Sequence, residues 1–158
     1  MIIKQIIEED FINYKKPSMV IAFPTCSFKC DKENGCNLCQ NSSLVKDADI
    51  IISYEDLFER YNLNPITKAI VMQGLEPFDS WEDVYGVIKY FRNNGCNDDV
   101  VIYTGYYKNE IQDKIEMLKV FKNIIIKFGR YRPNQKRHYD SILGINLAND
   151  EQYAEVIN

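Results

Sequence analysis

Short, mostly apolar runs alternate with amphipathic segments along most of the chain. Four such runs are predicted to be buried β-strands, because each is brief and is bounded by polar, glycine or proline residues. They are residues 19–23, 69–72, 100–103 and 123–126. Three segments between or after them place apolar residues at helical spacing, namely around residues 54–61, 81–93 and 108–118. The repeating unit is therefore strand, loop, helix.

The predicted helices carry recognisable boundaries. Ser53, followed three residues later by Asp56, resembles a capping box that opens the first helix. Asp79 or Ser80 is expected to cap the second helix, which ends at Asn93-Asn94-Gly95, since glycine tolerates the left-handed conformation found at helix ends.

Apolar strands separated by helices predict parallel βαβ crossovers and an α/β fold. Four or five such units cannot close an eight-stranded barrel, which typically takes ~250 residues. We therefore expect an open or partial (βα) barrel with a mostly parallel sheet, formed by a single domain over residues 1–158. In such sheets the chemistry collects at the carboxyl ends of the strands.

Composition and charge narrow the class of protein. Nineteen basic against 23 acidic side chains give a net charge of −4, which argues against nucleic-acid binding as the main activity. No apolar run is long enough to span a bilayer, and residues 1–10 alternate apolar pairs with charges, unlike a signal peptide. The sequence thus predicts a cytoplasmic protein without a membrane partner.

Four of the five cysteines fall within one loop that directly follows the first predicted strand. Cys26 and Cys30 form a C-x3-C pair, and Cys36 and Cys39 form a C-x2-C pair. In an intracellular chain such crowding indicates a metal or redox site, not a disulfide framework. The spacing alone leaves three alternatives open: a structural zinc site, a fully ligated electron-transfer cluster, or a catalytic cluster with an open iron.

This loop resembles the motif of the radical S-adenosylmethionine superfamily, whose usual form is C-x3-C-x2-C. The first pair matches, whereas the third cysteine comes late, after an inserted segment at residues 31–37. The resemblance implies that Cys26, Cys30 and Cys39 bind a [4Fe-4S] cluster, because Leu38-Cys39-Gln40-Asn41 is similar to the family's apolar-Cys-polar-Asn ending. Cys36 is then a spare, alternative or fourth ligand.

Two further segments resemble the same superfamily. Gln73-Gly74-Leu75-Glu76-Pro77 is similar to the family's Gly-Gly-Glu-Pro segment, with Leu75 in place of the second glycine. Tyr103-Thr104-Gly105-Tyr106 is similar to a segment of anaerobic ribonucleotide reductase activating proteins. The resemblance implies that five residues contact S-adenosylmethionine, namely Leu38, Gln40, Gly74, Glu76 and Thr104. It implies no catalytic side chain, because the cluster and the cofactor carry out the chemistry.

The resemblance is greatest to the activating proteins of the anaerobic ribonucleotide reductase. It implies a large glycyl-radical protein as partner and an external one-electron donor such as flavodoxin or ferredoxin. Two alternatives remain: a radical enzyme with another peptide or a small molecule as its target, and a non-enzymatic module in which four cysteines hold zinc. The basic segment at residues 119–137 is either solvated surface or a docking element for an acidic partner.

Overall fold

A computed structural model describes all of residues 1–158. Its strands are, in chain order, β1 (Ile2–Ile3), β2 (Gln5–Asp10), β3 (Ser18–Phe23), β4 (Ile50–Ile51), β5 (Ala69–Gly74), β6 (Asp99–Tyr103), β7 (Ile124–Phe128), β8 (His138–Asp140), β9 (Ile145–Leu147) and β10 (Tyr153–Val156). Its α-helices are α1 (Lys29–Asn34), α2 (Tyr54–Leu63), α3 (Trp81–Asn93) and α4 (Gln112–Leu118). Short 3₁₀ helices lie at Ser42–Lys46, Pro77–Ser80 and Lys108–Glu110.

Six strands form the central sheet, in the order β10-β7-β6-β5-β3-β2. The four strands predicted from sequence, β3, β5, β6 and β7, are its parallel centre, whereas β2 and β10 pair antiparallel at the two edges. The α/β class and the mostly parallel sheet are therefore confirmed. The sheet does not close into a barrel, and the partial-barrel curvature stays a prediction.

The helices that follow β4, β5 and β6 all pack against one face of this sheet. That face shares a core of 22 buried residues with α2, α3 and α4, including Leu57, Val87 and Leu118. The other face buries a smaller group of nine residues, among them Val101, Ile125 and Leu143, beneath the chain that follows β2 and the segment around the β8–β9 hairpin. Because strand residues alternate between the two faces, each buried strand contributes side chains to both cores.

Two of the predicted helix boundaries are corrected. The third helix is expected to begin at about residue 108, but Lys108–Glu110 forms a 3₁₀ helix and α4 begins at Gln112. Ser53 caps α2 as expected, its hydroxyl oxygen accepting from the Asp56 N–H at 3.0 Å. Ser80 occupies the N-cap position of α3, but neither its side chain nor that of Asp79 makes a capping hydrogen bond. Both side chains bind the cysteine loop (residues 25–41) instead: Asp79 Oδ2 accepts from the Ser27 N–H at 2.6 Å, and Ser80 Oγ lies 2.5 Å from Thr25 Oγ1.

Register places the carboxyl ends of the parallel strands side by side. Phe23 of β3 pairs with Gly74 of β5, and Tyr103 of β6 pairs with Lys127 of β7. The segments that follow these strands therefore converge at one edge of the sheet. None of the helices combines the length and the apolar character needed to cross a lipid bilayer.

Candidate iron–sulfur and cofactor site

A cavity of about 220 Å³ lies where the four parallel strands end. Its walls come from the cysteine loop, from the ends of β5, β6 and β7, and from two residues contributed by more distant parts of the chain. The segments that line it are 26–31, 39–41, 73–76, 103–106 and 129–131, together with Lys127, Asn13 and Gln152.

Three of the four clustered thiols line this cavity. Cys26, Cys30 and Cys39 are all partly buried there. Cys36 is exposed and lies outside, where its thiol donates to the Asn34 carbonyl oxygen at 3.4 Å. The structure thus brings together the three cysteines expected as cluster ligands and separates the fourth from them.

The inserted segment is folded, and it returns the chain to the cavity. Phe28 adopts a left-handed conformation (φ 52°), α1 follows, and Gly35 ends it with φ 69°, a conformation that glycine adopts without steric cost. The Asp31 carboxylate then accepts from the backbone N–H groups of Leu38 (2.9 Å) and Cys39 (2.8 Å). Asn41 completes the return, its side-chain amide donating to the Gly74 carbonyl oxygen at 3.0 Å.

The sulfur of Cys26 accepts a hydrogen bond from the backbone. Burial raises the pKa of the Cys26 thiol to about 12, while the hydrogen bond from the Phe28 N–H, at 3.1 Å, acts in the opposite direction. Burial likewise raises the pKa of Cys39, and the nearby N–H groups of Asn41 and Ser42 oppose this increase. N–H groups aimed at cysteine sulfur are one of the features with which proteins tune iron–sulfur clusters.

Three cavity thiols are available as ligands of a [4Fe-4S] cluster. A tetrahedral zinc with Zn–S bonds of about 2.3 Å needs sulfurs that converge on one point, whereas the ligands of a cubane bind separate irons. Gly105 leaves room beside one of these sulfurs, since an added Cβ there would lie 3.1 Å from Cys30 Sγ.

Glu76 is buried at the cavity wall and already has three hydrogen-bond donors. Its Oε1 accepts from the Phe78 N–H (3.1 Å) and from the Thr104 hydroxyl (2.8 Å), and its Oε2 accepts from the Gly105 N–H (2.9 Å). Burial raises the pKa of this carboxyl to about 7, although all three hydrogen bonds favour the charged form. Glu76 therefore joins the segment after β5 to the segment after β6.

The neighbours of Glu76 have structural roles that the sequence did not indicate. The Thr104 hydroxyl, besides donating to Glu76, accepts from the Tyr106 N–H at 2.9 Å. Gly74 has φ 106°, and an added Cβ would lie 2.7 Å from the Phe23 backbone nitrogen, so the close approach of β3 already requires a glycine there. The expected cofactor contacts of Gly74 and Thr104 stay predictions, as do those of Gln40, which lines the cavity, and Leu38, which does not.

Lys127 is a cavity residue that sequence reasoning missed. It is 6% exposed, its ammonium donates to the Gly129 carbonyl oxygen at 3.2 Å, and no carboxylate lies within ion-pair distance of it. Burial lowers its pKa to about 8, against the attraction of Glu76 and Cys30. The available signal was a lone charge inside an apolar strand, because Lys127 interrupts Ile124-Ile125-Ile126 and Phe128.

Arg130 is a second missed residue and holds the cysteine loop against the rest of the site. Its side chain is 1% exposed and forms ion pairs with Glu33 of α1 (3.0 Å) and with Glu110 (2.8 Å). It also donates to the Gly105 carbonyl oxygen. Although burial acts the other way, hydrogen bonds led by the one from Arg130 hold the pKa of Glu110 at about 2.

These pairings change the interpretation of the basic segment. Lys127 is buried, Arg130 is paired within the chain, and Arg132 donates to Glu151 at 2.9 Å. Most of the positive charge nearest the cavity therefore stabilises the site itself. Docking of a partner by this segment stays a prediction for its remaining residues.

Comparison with known proteins agrees with the donor set. The family model described as "4Fe-4S single cluster domain" matches residues 18–146, which is most of the chain. The matched range begins at β3 and includes all four clustered cysteines. No curated protein matches the chain.

Proposed function

We propose, from the premise that this chain belongs to the family of 4Fe-4S single cluster domains, that it is a radical S-adenosylmethionine enzyme. One observation carries the proposal: three cysteine thiols share a cavity with a buried carboxylate and a buried, unpaired lysine, while the fourth thiol of the loop faces outward. Cys26, Cys30 and Cys39 are the proposed ligands. Three protein ligands would leave one iron of a [4Fe-4S] cluster free to bind a further molecule. Catalytic metal sites in general keep an open coordination position of this kind.

The polar groups of the cavity suit the methionine part of S-adenosylmethionine, which carries an ammonium and a carboxylate. Lys127 supplies a buried cation, and a carboxylate entering the cavity would give it an ion-pair partner. An ionised carboxylate accepts about four hydrogen bonds, and Glu76 uses three internally, so one position is left for an ammonium donor. Thr104 then acts mainly by holding Glu76 in place.

A [4Fe-4S] cluster held by Cys26, Cys30 and Cys39 would, once reduced, supply the electron for cleavage of S-adenosylmethionine into methionine and a 5′-deoxyadenosyl radical. The contribution of the protein would be to orient the cofactor and to exclude water from it. Besides the four clustered residues the chain has one cysteine, Cys96, which follows α3 and does not line the cavity. The electron is therefore proposed to come from an external donor such as flavodoxin or ferredoxin.

The proposed target is a backbone glycine of a large glycyl-radical protein, with the anaerobic ribonucleotide reductase as the leading candidate. Support comes from Tyr103-Thr104-Gly105-Tyr106, a segment that begins at the end of β6 and lines the cavity wall. Another peptide or a small molecule is the alternative target for the same chemistry. The zinc-module alternative has no support in the arrangement of the thiols, because Cys36 lies apart from the other three.

The test is cofactor cleavage by anaerobically reconstituted protein. With a low-potential reductant, the protein should convert S-adenosylmethionine to 5′-deoxyadenosine and methionine in equal amounts. Omission of the reductant and the Cys30→Ala variant are the controls, and both should give neither product. An intact, reducible cluster that yields no 5′-deoxyadenosine would refute the radical enzyme, and a glycyl-radical signal in a co-purifying partner would support the activating role.

A further inference from the structure

The unusual spacing before the third cysteine creates a geometric problem. In the short C-x2-C form the chain between two ligands is a tight turn, whereas here eight residues separate Cys30 from Cys39. A longer loop has more conformations available, so bringing its ends together costs more entropy unless something inside the loop holds it. The α1 helix orders only the first part of this stretch, since it ends at Asn34.

Asp31 is placed to hold the second part. It follows Cys30 directly, and one oxygen of its carboxylate accepts from two consecutive backbone N–H groups, those of Leu38 and Cys39. Two hydrogen bonds to an ionised acceptor, each near 2.8–2.9 Å, belong to the stronger class of hydrogen bonds in proteins. The residue after one proposed ligand is thereby tied to the backbone of the next.

The same contacts separate Cys36 from Cys39. Gly35 reverses the chain at the end of α1, and the exposed Cys36 follows it immediately. The tie at Leu38 and Cys39 then draws the later cysteine back to the cavity wall, where Asp31 itself also lies. Two cysteines only three positions apart are thus held in different places by backbone contacts.

We propose that Asp31 is a positioning residue that selects Cys39 over Cys36 as the third cluster ligand. The proposal rests on the ligand set of the proposed function but not on radical chemistry. Asp31 contributes no ligand of its own. It acts by fixing Leu38 and Cys39 next to the residue that follows Cys30, so that the eight-residue connection has fewer conformations available.

The experiment measures cluster retention in the full chain. Wild-type protein, Asp31→Ala and Asp31→Asn are reconstituted anaerobically, and loss of the iron–sulfur absorbance is followed in excess chelator. Asp31→Ala should lose the cluster at least about tenfold faster, because two charge-assisted hydrogen bonds to the Cys39 loop are removed. Asp31→Asn keeps an acceptor oxygen and should restore much of the retention. Asn37→Ala is the matched control, because it truncates an exposed side chain of the same loop that makes no hydrogen bond.

A second comparison identifies the cysteine that is used. If Asp31 selects Cys39, the Asp31→Ala protein should hold part of its cluster through Cys36, giving an altered electron paramagnetic resonance spectrum of the reduced form. Adding Cys36→Ser should abolish this remainder in Asp31→Ala protein yet change nothing in the wild-type background. Equal chelator rates and equal spectra for wild type and Asp31→Ala would overturn the proposal.

Thermal unfolding of the cluster-free proteins separates positioning from a general loss of fold. When no cluster is present, Asp31→Ala should melt at most about 5 °C below wild type, the shift expected for the loss of one or two loop hydrogen bonds. A much larger drop in melting temperature would overturn the specific role. Cofactor cleavage by wild type is measured in parallel. If wild type retains the cluster but does not cleave S-adenosylmethionine, the proposed function is refuted. The cluster-retention rates of wild type and the Asp31 variants still test the role of Asp31.

Discussion

The two faces of the central sheet bury different kinds of residue. The face beneath α2, α3 and α4 is covered by a continuous apolar core of 22 residues. The opposite face buries nine apolar residues and then, near the carboxyl ends of the strands, gives way to Tyr103 and Lys127. Helices present side chains to a sheet and few free backbone groups, so a polar residue beneath them has few partners. Loops beyond strand ends supply carbonyl and N–H groups, and the chemistry of this protein is found there.

This comparison predicts that changes at the strand ends alter the cluster and its ligands, whereas changes beneath the helices alter stability. The largest expected effect is loss of the cluster. Cys26→Ala, Cys30→Ala and Cys39→Ala should each fail to retain iron and sulfide after anaerobic reconstitution, because each removes one of three thiolates. Iron and sulfide analysis with absorption spectra is the measurement.

Cys36→Ala is the control within the same loop, and it should load and hold the cluster as wild type does. Its thiol faces away from the cavity. Cluster loss in Cys36→Ala together with retention in Cys39→Ala would reverse the ligand assignment.

On the helix-covered face, the expected effect is one of stability alone. Phe91 is fully buried, and its ring packs edge-on against Phe58 with centroids 5.1 Å apart. Phe91→Ala should lower the free energy of unfolding by about 3–5 kcal/mol, because it leaves a cavity in an apolar core. The fraction of folded protein that binds a cluster should not change. Denaturant unfolding and iron content per folded molecule measure the two quantities, and a specific loss of iron would contradict the separation of the faces.

On the other face, Lys127→Met should weaken ligand binding without lowering stability. The substitution keeps much of the side-chain volume but removes a buried charge that lacks a carboxylate partner, so stability should stay the same or rise. Affinity for S-adenosylmethionine should fall about tenfold to a hundredfold, the loss expected for one hydrogen bond to a charged group. Calorimetry on the cluster-loaded protein measures it.

A ligand without the amino-acid group provides the control for Lys127. 5′-Methylthioadenosine has no carboxylate, so its affinity should be the same for wild type and Lys127→Met. An equal loss for both ligands would show that the lysine shapes the cavity without binding a carboxylate.

Sequence reasoning predicted the parallel centre of the fold because apolar runs and helical periodicity are local signals. It identified no strand at either sheet edge: β2 is mixed in polarity, and β10 reaches its partner β7 only through long-range pairing. The cysteine motif could be identified for the same reason as the strands, because its spacing is a local signal. The ties that organise the site, such as Arg130 to Glu33 or Glu76 to Thr104, join residues far apart in the chain and leave no local pattern.

Glu76 lies where the two kinds of region meet, and it gives the smallest predicted effect. Burial raises the pKa of its carboxyl from 4.5 to about 7. Between these values the folded chain keeps a proton that the unfolded chain has lost, so the contribution of Glu76 to stability is full below about pH 4.5 and is lost as the pH rises through about 7. Glu76→Gln cannot titrate. The stability difference between wild type and variant should therefore shrink by about 1 kcal/mol from about pH 6 to about pH 8.

Denaturant unfolding of the cluster-free proteins at the two pH values measures this change. The Gln variant should also be less stable at the lower pH, because its amide nitrogen would face the Gly105 N–H, a donor with no acceptor. Glu82→Gln is the matched control: this glutamate is exposed at the start of α3, and its replacement should leave the pH dependence as it is. A wild-type to variant difference that stays constant across this range would mean that Glu76 is ionised throughout, held charged by its three donors and available to a cationic ligand at every pH tested.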